Sequence, residues 1–154
     1  MQRPIETNGF CEIVLDRGRN EANLGVVWRT AGCYGIAGTG QIGTRYKRLS
    51  SDVLDTYNMI PHRTYLDADE WAANGIPYAT EVVAVEILDD AIPLAEFKHP
   101  AKAVYVFGPE DGSIQPKILE HCQHKVFIPT NYCLNQATTV GTVLYDRQAK
   151  LGKV

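Results

Sequence analysis

The stretch Val104–Glu110, VYVFGPE, together with Val126–Tyr145, VFIPTNYCLNQATTVGTVLY, decides how this chain folds. The first is a buried apolar strand running into Phe107-Gly108-Pro109-Glu110, a tight turn that ends on a carboxylate. The second is an apolar strand that stops at Ile128-Pro129-Thr130. Leu134-Asn135 and an amphipathic helix follow it, with Ala137, Val140, Val143 and Leu144 recurring at helical spacing.

The same alternation extends outward. Strands are predicted over Gly9–Leu15, His62–Leu66, Glu81–Leu88, Lys102–Phe107 and Lys125–Ile128, and Ile36-Ala37 is at most a short one. Helices are predicted from Asn23, an N-cap residue followed by Leu24, Val27, Trp28 and Ala31, and over Ala68–Asn74, Pro116–Cys122 and Asn135–Lys150. Ser51 or Asp52 caps a further short helix that reaches about Asn58. Gly38–Ser51, rich in Gly, Lys, Arg and Ser, reads as an exposed loop. Strands alternating with helices predict an α/β fold whose mainly parallel sheet is flanked by helices. The length of 154 residues fits one domain, residues 1–154.

Composition narrows the class. A 45% apolar content suffices for one core. No apolar run approaches the ~20 residues that span a bilayer, so a cytoplasmic protein without membrane contact is expected. Cys11, Cys33, Cys122 and Cys133 are scattered without a C-x-x-C pair and read as free thiols. His121, Cys122 and His124 lack a second ligand pair at zinc-finger spacing, so no metal is expected. Net charge is −3, yet residues 1–64 hold eight Lys/Arg against six Asp/Glu, and residues 65–154 seven against twelve. Arg17, Arg19, Arg45, Lys47 and Arg48 are thus available to a phosphate-binding face.

Gly38-Thr-Gly-Gln-Ile-Gly43 matches G-x-G-x-x-G. A dinucleotide site sets that pattern between a strand and a well-formed helix, with an acidic residue about 20 positions on. Thr-Arg-Tyr-Lys-Arg follows here, and position 58 is Asn. A glycine-rich loop on the substrate side is the better reading.

Three segments, taken in order, resemble a known family. Asn23-Leu-Gly-Val-Val-Trp-Arg29-Thr-Ala, the FGPE turn and the IPT…LN segment are similar to the motifs of the SpoU/TrmH RNA 2′-O-ribose methyltransferases of the SPOUT superfamily. The resemblance spans Asn23 to Asp146 and is to the minimal members, which modify tRNA as homodimers. It implies a C-terminal deep trefoil knot, a fold that topology rules alone never predict. It also implies S-adenosyl-L-methionine as cofactor and RNA, most of all tRNA, as substrate.

By the same resemblance, Phe107, Gly108, Ile128, Pro129, Cys133 and Leu134 form the cofactor loops, with Val85 and Glu86 as the opposite wall. Arg29 takes the catalytic place. Arginine stays protonated, so its expected task is to hold the target phosphate and the developing 2′-oxyanion. Glu110 is expected to orient Asn135, and Asn135 doubles as an N-cap for the last helix. Asn23, Arg45 and Lys47 are the candidate substrate contacts. Cys133 stands where the family commonly has serine, and a thiol donates a weaker hydrogen bond than a hydroxyl. Methylation of ribosomal RNA, and a non-catalytic knotted RNA-binding protein, are the alternative functions.

Overall fold

The computed structural model describes residues 9–18, 21–43 and 56–151. Seven strands occur among them: β1 (Phe10–Asp16), β2 (Gly38–Ile42), β3 (His62–Tyr65), β4 (Glu81–Val85), β5 (Ile92–Pro93), β6 (Lys102–Phe107) and β7 (His124–Phe127). They form one sheet in the order β3-β2-β1-β6-β4-β7-β5, and every pairing is parallel. The helices are α1 (Glu21–Cys33), α2 (Thr56–Met59), α3 (Ala68–Asn74), α4 (Pro116–Leu119) and α5 (Gln136–Leu151). The α/β architecture with a parallel sheet is as the sequence predicts.

β6 explains the layering. Its register pairs it with β1 on one side and β4 on the other, and Ala103 to Phe107 are all buried. Side chains alternate between the faces of a strand. Tyr105 and Phe107 therefore join Ile13, Leu24, Val27 and Trp28 against α1 and α5, while Val104 and Val106 join Val14, Trp71, Ile114 and Ile118 on the other face. A strand covered on both faces reads as a continuous apolar run, which is why VYVF was legible.

Helix ends follow local chemistry. Asp67 caps α3, its Oδ1 accepting from the Glu70 amide at 2.9 Å. Gly75 ends α3, because a methyl group there would sit 2.4 Å from the Trp71 ring. Asn135 caps α5: its Oδ1 accepts from the amides of Ala137 at 2.9 Å and Thr138 at 3.3 Å.

Three sequence expectations need correction. Gly38–Ile42 is a fully buried strand and not a loop, so the glycine pattern there cradles no nucleotide. Gly40 is bare because a methyl group would lie 3.2 Å from Val14, and β1 and β3 flank the strand on both sides. Asn23 is not the N-cap of α1, which starts at Glu21 and places Asn23 in its first turn. The Glu81 strand ends at Val85, before Glu86. The Ser51/Asp52 cap and the Arg19, Arg45, Lys47 and Arg48 charges lie outside the described residues.

Candidate active site

Parallel strands direct their carboxyl ends to one edge of the sheet, where loops build ligand sites. Here β4, β6 and β7 open onto a cleft of about 460 Å³, a size suited to a small organic cofactor. Val85 and Glu86 come from the end of β4, Phe107, Gly108 and Glu110 from the end of β6, and Ile128 from the end of β7. Cys133, Leu134 and Asn135 precede α5, and Asn23 enters from α1. Ten of the residues singled out from sequence therefore line one cleft.

Its polar groups are chained together. Asn135 Nδ2 donates to Asn23 Oδ1 at 2.8 Å, and Asn23 Nδ2 donates to Glu110 Oε1 at 3.2 Å. Glu110 thus reaches Asn135 through Asn23, a go-between that the sequence reading did not contain. Two cap amides hold Asn135 Oδ1, so its Nδ2 orientation is fixed from both ends.

Gln136 was not singled out from sequence. Its Nε2 donates to the Gly108 carbonyl at 2.7 Å and so pins the FGPE turn to the start of α5. Its buried Oε1 has no hydrogen-bond partner among the described residues. A polar residue set directly before the apolar stripe that begins at Ala137 was the one available signal. On the other loop, Thr130 Oγ1 donates to the Tyr132 carbonyl at 2.7 Å and closes the turn that presents Cys133.

Two predicted residues lie elsewhere. Pro129 is exposed and does not line the cleft, whereas its neighbours Ile128 and Thr130 do. Its place in the wall is corrected accordingly: the proline turns the chain, and the flanking residues face inward. Arg29 is exposed on α1 and also does not line the cleft. It stands six positions after Asn23, about 9 Å further along the helix axis. Arg45 and Lys47 lie outside the described residues.

The charged lining consists of Glu86 and Glu110, both carboxylates. Apolar walls from Val85, Phe107, Ile128 and Leu134, with two anionic groups among them, suit a flat apolar ring system that carries a positive charge. S-adenosylmethionine, an adenine nucleoside bearing a sulfonium and an ammonium, has that character. Bare Gly108 lets the backbone approach closely, since a Cβ there would lie 2.9 Å from Glu86 Oε2. The residues present fit this cofactor.

Burial makes two other thiols inert. Cys11 and Cys122 are both pushed up to about 12 by burial. Cys122 donates to the Ile118 carbonyl, His121 packs edge-on against Trp71, and His124 pairs with Glu81, so these three side chains point to different partners.

The fold has solved relatives. It matches the TrmH/SpoU tRNA modifying enzyme of A. aeolicus with a TM-score of 0.81 and 18% identity, over 95% of this chain and 76% of that one. It matches the AdoMet-bound rRNA methyltransferase of Sinorhizobium meliloti with a TM-score of 0.81 and 23% identity, over 94% of this chain and 57% of that one. A protein solved in work on the 2-OH methylation of C/U34 on tRNA aligns with a TM-score of 0.80 and 22% identity, over 94% of this chain and 97% of that one. Among curated proteins, none matches the chain significantly. The profile of the SpoU rRNA Methylase family matches residues 11–145. The chain belongs to that family, RNA methyltransferases that take their methyl group from S-adenosylmethionine.

Proposed function

We propose that this protein is a cytoplasmic, S-adenosylmethionine-dependent 2′-O-ribose methyltransferase of tRNA that works as a homodimer. The observation that carries the reading is the Glu110–Asn23–Asn135 chain set across a cleft with apolar walls and an anionic lining. The loops after β6 and β7, which share that cleft, are the segments that form the deep trefoil knot in this reading.

S-adenosylmethionine, when bound, supplies an electrophilic methyl carbon on a sulfonium. That carbon would be open to a ribose 2′-oxygen, with a neutral thioether as the leaving group and the hydroxyl proton passing to solvent. The chain's own task is placement. Phe107, Ile128 and Leu134 exclude water from the ring-binding part of the cleft. Asn135, held by Asn23 and its cap amides, positions its neighbours Leu134 and Cys133. No Lys or Arg lines the cleft among the described residues. The cation that receives the RNA phosphate and the developing oxyanion therefore comes from outside the lining, and Arg29 is the candidate.

The homodimer supplies it. α1 and α5 pack together, and the exposed face of the pair carries Arg29, Val26, 44% exposed, and Tyr145, 62% exposed. A two-fold contact through that face buries both apolar side chains and brings Arg29 of one protomer toward the cleft of its partner. tRNA is favoured because the protein studied for tRNA C/U34 methylation is matched over nearly its whole length. Ribosomal RNA is the second reading, favoured by the family's description and by the Sinorhizobium meliloti enzyme.

The test incubates the protein with labelled S-adenosylmethionine and separate tRNA and rRNA pools, followed by nucleoside mass spectrometry. Label as 2′-O-methyl nucleosides in tRNA, lost in Arg29→Ala while cofactor binding persists, is the expected result. Label only in rRNA replaces tRNA by rRNA. Absence of any calorimetric heat with S-adenosylmethionine leaves the non-catalytic RNA-binding alternative.

A further inference from the structure

The loop that leaves β6 has no regular structure between Gly108 and Gln115, yet it carries Gly108 and Glu110 into the cleft. Something other than a helix or strand ladder must fix it, because free backbone costs about 1–2 kcal/mol per residue to order. Its far end, Ile114-Gln115, supplies the fixing points.

Two carboxylates converge there from the strands on either side of β6. From β4, Glu86 Oε2 accepts from the Ile114 amide at 3.1 Å, while Oε1 accepts from the Ile87 amide at 3.2 Å. From β1, fully buried Asp16 accepts from the Gln115 amide at 3.0 Å and from Gln115 Nε2 at 2.7 Å. Arg17 Nε meets the same carboxylate at 3.2 Å, and Arg17 Nη2 donates to the Ser113 carbonyl at 2.8 Å. Arg17 does this from a left-handed backbone, φ 49°, unusual for a residue with a side chain. Ile114 is buried beneath the junction. A buried carboxylate with four N–H donors, two from Gln115 and two from Arg17, is a strong anchor, because hydrogen bonds to charged groups are the expensive ones to break.

We propose that Asp16 and Glu86 are paired positioning residues that clasp the β6 loop at Ile114-Gln115 and thereby set the shape of the cofactor cleft. The proposal rests on the methyl-donor reading of that cleft. Glu86 acts in it through the Ile114 amide, and its charge adds to the anionic lining without a direct contact to the cofactor. Arg17, one of the basic residues that the sequence offered for RNA, serves the clasp as the counter-charge of Asp16.

The test combines hydrogen exchange in the cofactor-free protein with calorimetry using S-adenosylmethionine, on wild type, Glu86→Ala and Glu86→Gln. Loss of one charged hydrogen bond predicts that Glu86→Ala speeds exchange of the Ile114 and Gln115 amides about tenfold and weakens cofactor binding by a similar factor. Glu86→Gln recovers most of both losses, since an amide oxygen still accepts from Ile114. Gln115→Ala tests the other half without touching the buried carboxylate, and about a threefold rise in exchange across Ser113–Gln115 is expected. Unchanged exchange in Glu86→Ala overturns the clasp. So does a Glu86→Gln protein that binds as poorly as Glu86→Ala with wild-type exchange, which would make Glu86 a direct charge contact. If wild type gives no heat with S-adenosylmethionine, the methyl-donor reading fails by itself, and the exchange data still decide whether the clasp orders the loop.

Discussion

Asn135 donates its side-chain amide to Asn23 at 2.8 Å, joining residues 112 positions apart at the mouth of the cleft. Asn23 passes the link on to Glu110. The three motif segments of the sequence are therefore one hydrogen-bonded unit. An asparagine is suited to the middle, because it donates and accepts through one rigid amide. Neither a carboxylate nor a hydroxyl offers that pair in the same geometry.

Asn23→Asp tests this directly. The substitution keeps the acceptor for Asn135 but replaces the donor to Glu110 with a second carboxylate oxygen. Repulsion across the 3.2 Å contact separates Glu110 from α1. Loss of a hydrogen bond to a charged group predicts a fall of about 10- to 100-fold in kcat/KM for methyl transfer. Urea unfolding should move little, because all three side chains are exposed or half-buried at the cleft mouth. Wild-type kcat/KM in Asn23→Asp would remove the chain from the mechanism.

What the sequence disclosed follows from how each feature is encoded. β6 and β7 were legible because apolar runs end on strong turn residues, Gly108-Pro109 and Pro129, and the last helix because Ala137, Val140, Val143 and Leu144 recur at helical spacing. β2 was hidden because Gly38 and Gly40, a residue type depleted in strands, break up its short run. It is a strand because β1 and β3 supply ladders on both sides and Gly40 makes room for Val14. Asp16 reads locally as an ordinary loop residue at a strand end. Its burial depends on Gln115, 99 positions away, and no local pattern reports that. The same holds for Asn23, whose partners come from the two loops of the cleft.

Gly108→Ala probes the close approach in the cleft. The added methyl group would lie 2.9 Å from Glu86 Oε2 and 3.3 Å from the Ile114 amide nitrogen and side chain. The carboxylate is able to swing away, whereas the Ile114 backbone is not. Overpacking of this kind costs about 1–3 kcal/mol, read as a lowered urea midpoint. S-adenosylmethionine affinity should fall with it, because Gly108, Pro109, Glu110 and Gly112 of the same loop line the cleft. A variant with both values unchanged would show that the loop tolerates a side chain there.

Arg147 tests the opposite edge of the sheet. It is buried on α5 and donates to the carbonyls of Pro100 at 2.6 Å and Ala101 at 2.9 Å, with Phe10 at 3.4 Å and the Tyr105 hydroxyl at 3.3 Å. Arg147→Met keeps the apolar stem and strands those acceptors, which predicts a loss of about 3 kcal/mol by urea unfolding. Phe10 and Ala101 sit at the amino ends of β1 and β6, away from the cleft. Cofactor affinity at low temperature, where the variant stays folded, should match wild type. A stability loss within experimental error would mean that water replaces the guanidinium.

Acid sensitivity is predicted by His62 on β3. It faces the Trp28 ring at 4.7 Å between centroids and shares a 2.8 Å hydrogen bond between its Nδ1 and Thr39 Oγ1. Burial holds its pKa down, to about 4, whereas an unfolded histidine titrates near 6.5. Between those values the unfolded chain binds more protons than the native one, so stability falls as pH drops through the window and is level above it. His99 adds to the same slope, because burial lowers its pKa despite the opposing pull of Asp146. Urea midpoints should therefore decline from about pH 7 toward pH 4 in wild type, and less steeply in His62→Asn, which has no proton to take up. Equal slopes for the two proteins would place the acid sensitivity on other groups.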